Sequence, residues 1–141
     1  MLVLRTARPE ETGWINEQYA RAGFIPSDAS DQVVIAELDG ERAGIGRLVD
    51  AGGTAYELGG MYVLDRFRGA GIARAIVEEL LRRAGDLDVY CIPFADLEAF
   101  YASAGFHGIE AVGVPQKIIE KLEWCEREIA RAVILMKRIR P

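Results

Sequence analysis

ELGGMYVLDRFRGAGIARAIVEELLRRA, running from Glu57 to Ala84, decides the fold. It reads as a strand ending Met61-Tyr62-Val63, a short turn, a glycine-bearing loop, and a long helix. Ile72, Ile76, Val77, Leu80, Leu81 and Ala84 recur at helical spacing and give that helix one apolar side. Glu78 with Arg82 and Glu79 with Arg83 form i,i+4 pairs on its outer side. The loop Arg68-Gly69-Ala70-Gly71-Ile72-Ala73 falls where the helix begins, so its N–H groups lack carbonyls one turn earlier and point outward together. The helix dipole adds partial positive charge at the same end, which suits an anion, with a diphosphate as the natural guest. Gly69 and Gly71 lack Cβ atoms, so phosphate oxygens can approach the main chain closely, and Arg68 adds a fixed charge beside it.

Two other glycine loops are excluded. A P-loop needs Gly-Lys followed by Ser or Thr, and Gly71 is followed by Ile72. A dinucleotide fingerprint needs Gly or Ala at position 74, which is Arg74, and it normally occupies the first strand–helix turn of the chain. Here other strands come first.

Leu2, Leu4 and Thr6 alternate with Val3 and Arg5 as in a strand. Pro9, Glu10 and Glu11 suit the first turn of a helix, where proline's missing N–H costs nothing and acids meet the positive end. Trp14, Ile15, Gln18 and Tyr19 share its core face, and Gly23 closes it. Gln32 to Leu38 and Glu41 to Val49, joined by Asp39-Gly40, form a hairpin with a tight primed turn. Gly44 and Gly46 weaken the second of these strands and mark a bulge. Tyr56 to Val63 completes an antiparallel meander ahead of the glycine loop, an order unlike that of a Rossmann unit.

Leu87 to Ile92 is a further strand, stopped by Pro93. The strand–helix–strand crossover makes it parallel to the strand before the loop and lays the helix on one sheet face. Asp96 to Ala104 is a short helix ended by Gly105. Val114-Pro115 to Ile129 is an amphipathic helix, with Ile118, Leu122, Cys125 and Ile129 on one face, and Arg131 to Ile139 reads as a closing strand.

The 141 residues suffice for a single domain spanning 1–141 with one core. Half of them are hydrophobic and 28% charged, a composition of folded globular proteins. No apolar run reaches membrane-spanning length and the N-terminus lacks the apolar stretch of a signal peptide, so a cytoplasmic protein without membrane association is expected. Cys91 and Cys125 are too few for a disulfide framework, and with His107 the one histidine there is no metal-ligand cluster. A formal net charge of −5 argues against nucleic acid as a partner and is compatible with a cationic amine.

Arg68-x-x-Gly71-x-Ala73, after a strand and before a helix, resembles the coenzyme A pyrophosphate loop of the GCN5-related N-acetyltransferases (GNAT), as does Tyr101-x-x-x-Gly105-Phe106 downstream. The resemblance runs from the first strand to Phe106 and is specific between Glu57 and Phe106. It implies a mixed α/β fold: a mostly antiparallel central sheet, helices on both faces, and the coenzyme loop on a β-α-β crossover. Acetyl-CoA is the implied cosubstrate, with pantetheine hydrogen-bonded to the strand at Met61, Tyr62 and Val63. The segment after the first helix shapes the acceptor pocket in this family, so Phe24, Asp28 and Asp31 are candidates there, against a plain reading as a solvated loop with a helix cap. Phe94 or Ala95 stands where many members carry an asparagine. The 115–129 helix is a further departure, serving either as a cover for the acceptor pocket or as a homodimer contact.

Acetyl transfer from a thioester to an amine poses three problems. An alkylammonium has a reference pKa of about 10.4, so a base must take a proton. The carbonyl oxygen gains charge and needs a donor. The thiolate leaves, and with a reference pKa of about 8.5 it gains from an acid. The resemblance assigns Glu57 as base and Tyr101 as acid, and a backbone N–H near Met61 to Val63 is the expected carbonyl donor. Their plain alternatives are a solvated strand-end carboxylate and a buried ring before a glycine cap. The expected activity is acetyl-CoA-dependent N-acetyl transfer to a small-molecule or peptide amine. The rivals are a non-catalytic acyl-CoA-binding or interaction domain, and a nucleotide-binding module.

Overall fold

The computed structural model describes residues 1–139; the last two of the range expected to form one domain lie outside it. Among the described residues, seven strands form a single sheet in the order β1-β2-β3-β4-β5-β7-β6. The strands are β1 (Leu2–Thr6), β2 (Gln32–Leu38), β3 (Glu41–Asp50), β4 (Ala55–Val63), β5 (Asp88–Cys91), β6 (Phe106–Gly108) and β7 (Met136–Arg138). The helices are α1 (Thr12–Ala22), α2 (Ile72–Ala84), α3 (Glu98–Ser103) and α4 (Gln116–Glu128). Every neighbouring pair is antiparallel except β4 and β5, which the α2 crossover makes parallel. The expected mixed, mostly antiparallel architecture is the observed one.

The β2–β3 turn forms as its residues dictate: Asp39 and Gly40 take φ of 51° and 84°, both in the left-handed region that a primed turn demands. Gly23 closes α1 at φ 75°, and the Phe24 N–H donates to the Tyr19 carbonyl. Pro9–Glu11 form a separate 3-10 turn leading into α1 rather than the helix's own first turn.

Ile72, Ile76, Val77, Leu80 and Ala84 of α2 are buried against the sheet with Val34, Ala36, Leu48, Leu58 and Val89. Gly44 and Gly46 owe their identity mainly to this packing. A Cβ at Gly46 would lie 2.5 Å from Ile76 Cγ2 and 2.8 Å from Met61 Sδ, so glycine lets α2 settle close on β3. Register slips do occur beside both: Ala43 is extra on β3 opposite β2, and β4 carries an extra residue opposite Gly46. On the outer face of α2, Arg82 and Arg83 both bind Glu79, at 2.6 and 2.7 Å. Arg82 therefore pairs at i,i+3, not with Glu78. On the other sheet face Ile15 and Tyr19 of α1 pack against Val33, Ile35 and Ile45.

The C-terminal segment holds one more strand than its sequence suggests. Phe106–Gly108 forms a short strand that pairs with β7, and α4 is inserted between these two hairpin partners. The closing strand is shorter than 131–139: only Met136–Arg138 are in the ladder, with an isolated bridge from Val133 to Phe94. Ile118 and Cys125 of α4 are buried, and Ile118 packs with Ala51, Ala55, Tyr90 and Leu135.

Candidate active site

β4 and β5 pair only through Ala55–Asp88, Tyr56–Val89 and Glu57–Tyr90. β5 then ends at Cys91, and Pro93, which has no N–H to donate, prevents its continuation. β4 runs on to Val63 paired with β3 but not with β5, so β4 and β5 part and leave a cleft with a cavity volume of about 120 Å³. Glu57, Gly59, Gly60 and Met61 line it from β4, and Cys91 to Phe94 from the end of β5.

Inside this cleft β4 is bulged. Ile45 faces Tyr62 and Arg47 faces Gly59, so Gly60 and Met61 together oppose Gly46. Gly60 sits at φ 59°, and a Cβ on it would lie 2.5 Å from the Tyr19 hydroxyl and 2.9 Å from Arg47 Nε. Only glycine fits there. A bulge withdraws its extra residue from the ladder and re-aims the strand, here where Gly60 and Met61 line the cleft.

Glu57 is 8% exposed, and its carboxylate accepts from Lys121 Nζ at 3.2 and 3.3 Å. It also leans along β4 toward the bulge, since a Cβ on Gly59 would be 3.0 Å from Oε2. The solvated strand-end reading of Glu57 is therefore ruled out. Tyr101, 6% exposed, lines the same cleft from α3 and packs edge-on against Phe100 and Phe106, with ring centroids 5.0 and 6.0 Å apart. Burial, then the neighbouring Cys91, pushes its hydroxyl well above the ordinary tyrosine pKa. The Cys91 thiol is pushed up by burial and then by Glu57, and Cys125 is raised chiefly by burial, so neither is an activated thiolate.

A second hollow of about 320 Å³ lies at the start of α2, lined by Val63, Phe67, Arg68, Gly69, Gly71, Ile72, Ala73, Arg74 and Phe100. Gly69 and Gly71 have φ of 82° and 76°, and a Cβ on either would meet nothing within 4 Å among the described residues. The space beside the loop amides is open, as an anion cradle requires. Arg68 is an exposed arm ion-paired with Asp65 at 3.1 Å, a contact weak enough to exchange for a ligand. Arg74, from the first turn of α2, lies over the Phe100 ring and donates to the Ser103 hydroxyl. Ala70 is exposed in the loop. Met61 faces the cleft and Val63 the cradle, while the Tyr62 side chain packs on the opposite sheet face beside the α1 cluster.

The segment after α1 forms the far wall. Phe24 and Ile25 line the cleft, and Asp28 and Asp31 line an adjoining hollow of about 310 Å³ that shares Ile25, Arg47, Glu57 and Lys121 with it. Both aspartates also build the turn. Asp28 accepts from the Ser30 N–H at 2.8 Å, and the Ser30 hydroxyl and N–H hold its pKa down. Asp31 accepts from the Ser27 hydroxyl at 2.6 Å.

Three residues here carry no signal legible in one sequence. Lys121 is one of several charges on an amphipathic helix, Trp124 is its neighbour on the cleft wall, and Arg47 lies in a strand with no motif around it. Phe94, in place of the family's asparagine, is covered by the Arg131 guanidinium 3.7 Å from its ring centroid, and Arg131 also grips Asp96 at 2.8 and 2.9 Å. Among the described residues no helix is long and apolar enough to cross a membrane.

A family model described as the acetyltransferase (GNAT) domain matches residues 29–108, which include β2 to α3, the cradle, Glu57 and Tyr101. No curated protein matches the chain by sequence. Among solved structures, Rv2747 from Mycobacterium tuberculosis, determined with coenzyme A, is similar with a TM-score of 0.74 at 21% identity, covering 99% of both chains. An acyl-CoA N-acyltransferase from Pseudomonas aeruginosa gives 0.71 at 18% identity, over 99% of this chain and 100% of the other. Arabidopsis thaliana Naa50, with the bisubstrate analogue CoA-Ac-MVNAL, gives 0.72 at 12% identity over 99% of each.

Proposed function

The chain belongs to the acetyltransferase (GNAT) family, and from that premise we propose that it transfers an acetyl group from acetyl-CoA to the primary amine of a small molecule or peptide. One observation carries this reading. The cradle and the cleft lie at successive positions of the half of β4 that has no partner on its β5 side, with Val63 bordering one and Met61 the other. A carrier whose diphosphate rests on the amides of Gly69 to Ala73, between Arg68 and Arg74, would run its pantetheine beside Met61, Tyr62 and Val63 as an added strand. Its thioester then meets the bulge at Gly60–Met61.

There the chain's groups answer the three chemical demands. Glu57 takes the proton from the attacking nitrogen, either directly or through one water, with Lys121 exchanging for the incoming ammonium as its partner. A main-chain N–H of the bulge receives the carbonyl oxygen as charge develops on it. As the C–N bond forms and the C–S bond breaks, Tyr101 donates a hydrogen bond to the departing sulfur. Because burial raises its pKa, Tyr101 is a stronger keeper of its proton than the thiol, and it acts by stabilising the thiolate.

Thiol release from acetyl-CoA in the presence of an amine library tests the proposal. Release above background with at least one primary amine, lost in Glu57→Gln, is expected. Calorimetric binding of acetyl-CoA with no release for any amine would favour the non-catalytic acyl-CoA-binding reading instead.

A further inference from the structure

Arg47 is 4% exposed, yet its guanidinium is not fully used by the protein. Nη2 donates to the Ile25 carbonyl at 2.9 Å, and the group stacks over Tyr19, 4.5 Å from the ring centroid. Nη1 has no hydrogen-bond partner among the described residues. Asp31 Oδ2 is 3.8 Å away, near enough for attraction and too far for a hydrogen bond, and it is already taken by the Ser27 hydroxyl. Arginine stays charged at any working pH, and its planar fork matches a carboxylate. A buried guanidinium held in place by Ile25 and Tyr19 with one arm idle is the form of a site awaiting an acceptor oxygen.

Where that arm lies gives it meaning. Arg47 lines both the cleft and the adjoining hollow, and its Nε sits against Gly60 of the bulge. Glu57 and Lys121 border the same two spaces. A ligand entering through the hollow therefore finds a carboxylate for its amine at Glu57 and a cation for an anionic group at Arg47.

We propose that the acceptor is an amine carrying its own carboxylate, an amino acid rather than a neutral amine or a peptide N-terminus, and that Arg47 Nη1 holds that carboxylate. The inference rests on the transferase reading above and deepens it. The free carboxylate selects the substrate while Glu57 receives the proton from its nitrogen, so charge at both ends fixes the attacking atom over the bulge.

The experiment compares free L-amino acids with their carboxamides as acceptors, by thiol release at saturating acetyl-CoA, in wild type, Arg47→Gln and Arg47→Lys. Wild type is expected to favour acids over amides at least about tenfold in kcat/KM, with the difference in KM. The acid-to-amide ratio falls to near one in Arg47→Gln and is intermediate in Arg47→Lys, which keeps the charge without the fork. Equal use of acids and amides by wild type, or a ratio unchanged in Arg47→Gln, overturns the proposal. Calorimetry with N-acetyl-L-amino acids and their amides, in the presence of coenzyme A, reads the same preference without turnover. If no amine releases thiol, the transferase reading fails while this binding arm still decides for or against Arg47.

Discussion

Lys121 Nζ lies 3.2 Å from Glu57 Oε2, so the helix inserted between β6 and β7 delivers a cation to the carboxylate at the fork of β4 and β5. Glu57 is nearly buried and Lys121 about three-quarters so. Removing the lysine leaves an unpaired carboxylate at the cleft, and such a loss costs more than the pair itself contributes. Lys121→Met is expected to destabilise the protein by about 1–2 kcal/mol, with Glu57→Gln in the same background restoring part of it. Denaturant unfolding of both single variants and the double variant measures the coupling. Strict additivity would mean that the contact does nothing.

Tyr101→Phe keeps both edge-on ring contacts and removes only the hydroxyl. Turnover is expected to fall about 10- to 100-fold, with acetyl-CoA affinity changed less than about threefold. The folded-state pKa of this tyrosine is raised, so its proton is held more tightly by the folded chain. Its stabilising contribution is complete below the unfolded value of about 10 and is lost as pH rises above that. No alkaline limb below about pH 10 should therefore trace to Tyr101. An equal rate in the variant would remove it from the mechanism.

Gly71→Glu places an anion where a diphosphate is expected and forces a side chain into φ 76°. The local space is open, so the stability loss is limited to about 1–2 kcal/mol of backbone strain. Coenzyme A affinity should fall at least about 100-fold, and less in Gly71→Ala. Unchanged affinity by calorimetry would move the diphosphate elsewhere.

Glu11 anchors β1 to α1 through a bidentate bond with Arg5, at 2.8 and 2.9 Å, and accepts the Arg8 N–H at 2.8 Å. The Arg5 hydrogen bonds, against an opposing cost of burial, hold its pKa near 2 instead of 4.5. A depressed folded-state pKa gives stability that is present above 4.5 and lost as pH falls toward 2. Glu11→Gln should cost about 2 kcal/mol at pH 7, and the gap between variant and wild type should close by about pH 2. A gap independent of pH would assign the loss to packing.

The fold could be read from the chain because its main signals are local. Asp39-Gly40 dictates its own turn, and the apolar stripe of Ile72, Ile76, Val77 and Leu80 requires a sheet to lie on. The glycine-bearing turn into α2 was legible for the same reason, since Gly69 and Gly71 act within one loop. Partners distant in sequence were not. Arg47 and Ile25, or Lys121 and Glu57, meet only after the sheet has formed, 22 and 64 residues apart along the chain. Gly46 looked like a weak point in a strand because its neighbours Ile76, Met61 and Leu80 arrive from other elements. Glu78 and Arg82 had the right spacing for a pair, but Glu79 already reaches both arginines.

β7 is the last strand among the described residues, yet it sits between β5 and β6. A growing polypeptide therefore carries β6 without a partner in the sheet until residues 136–138 have been synthesised. Until then the edge of β5 is open to any passing strand, so a chain cut short before Met136 invites aggregation.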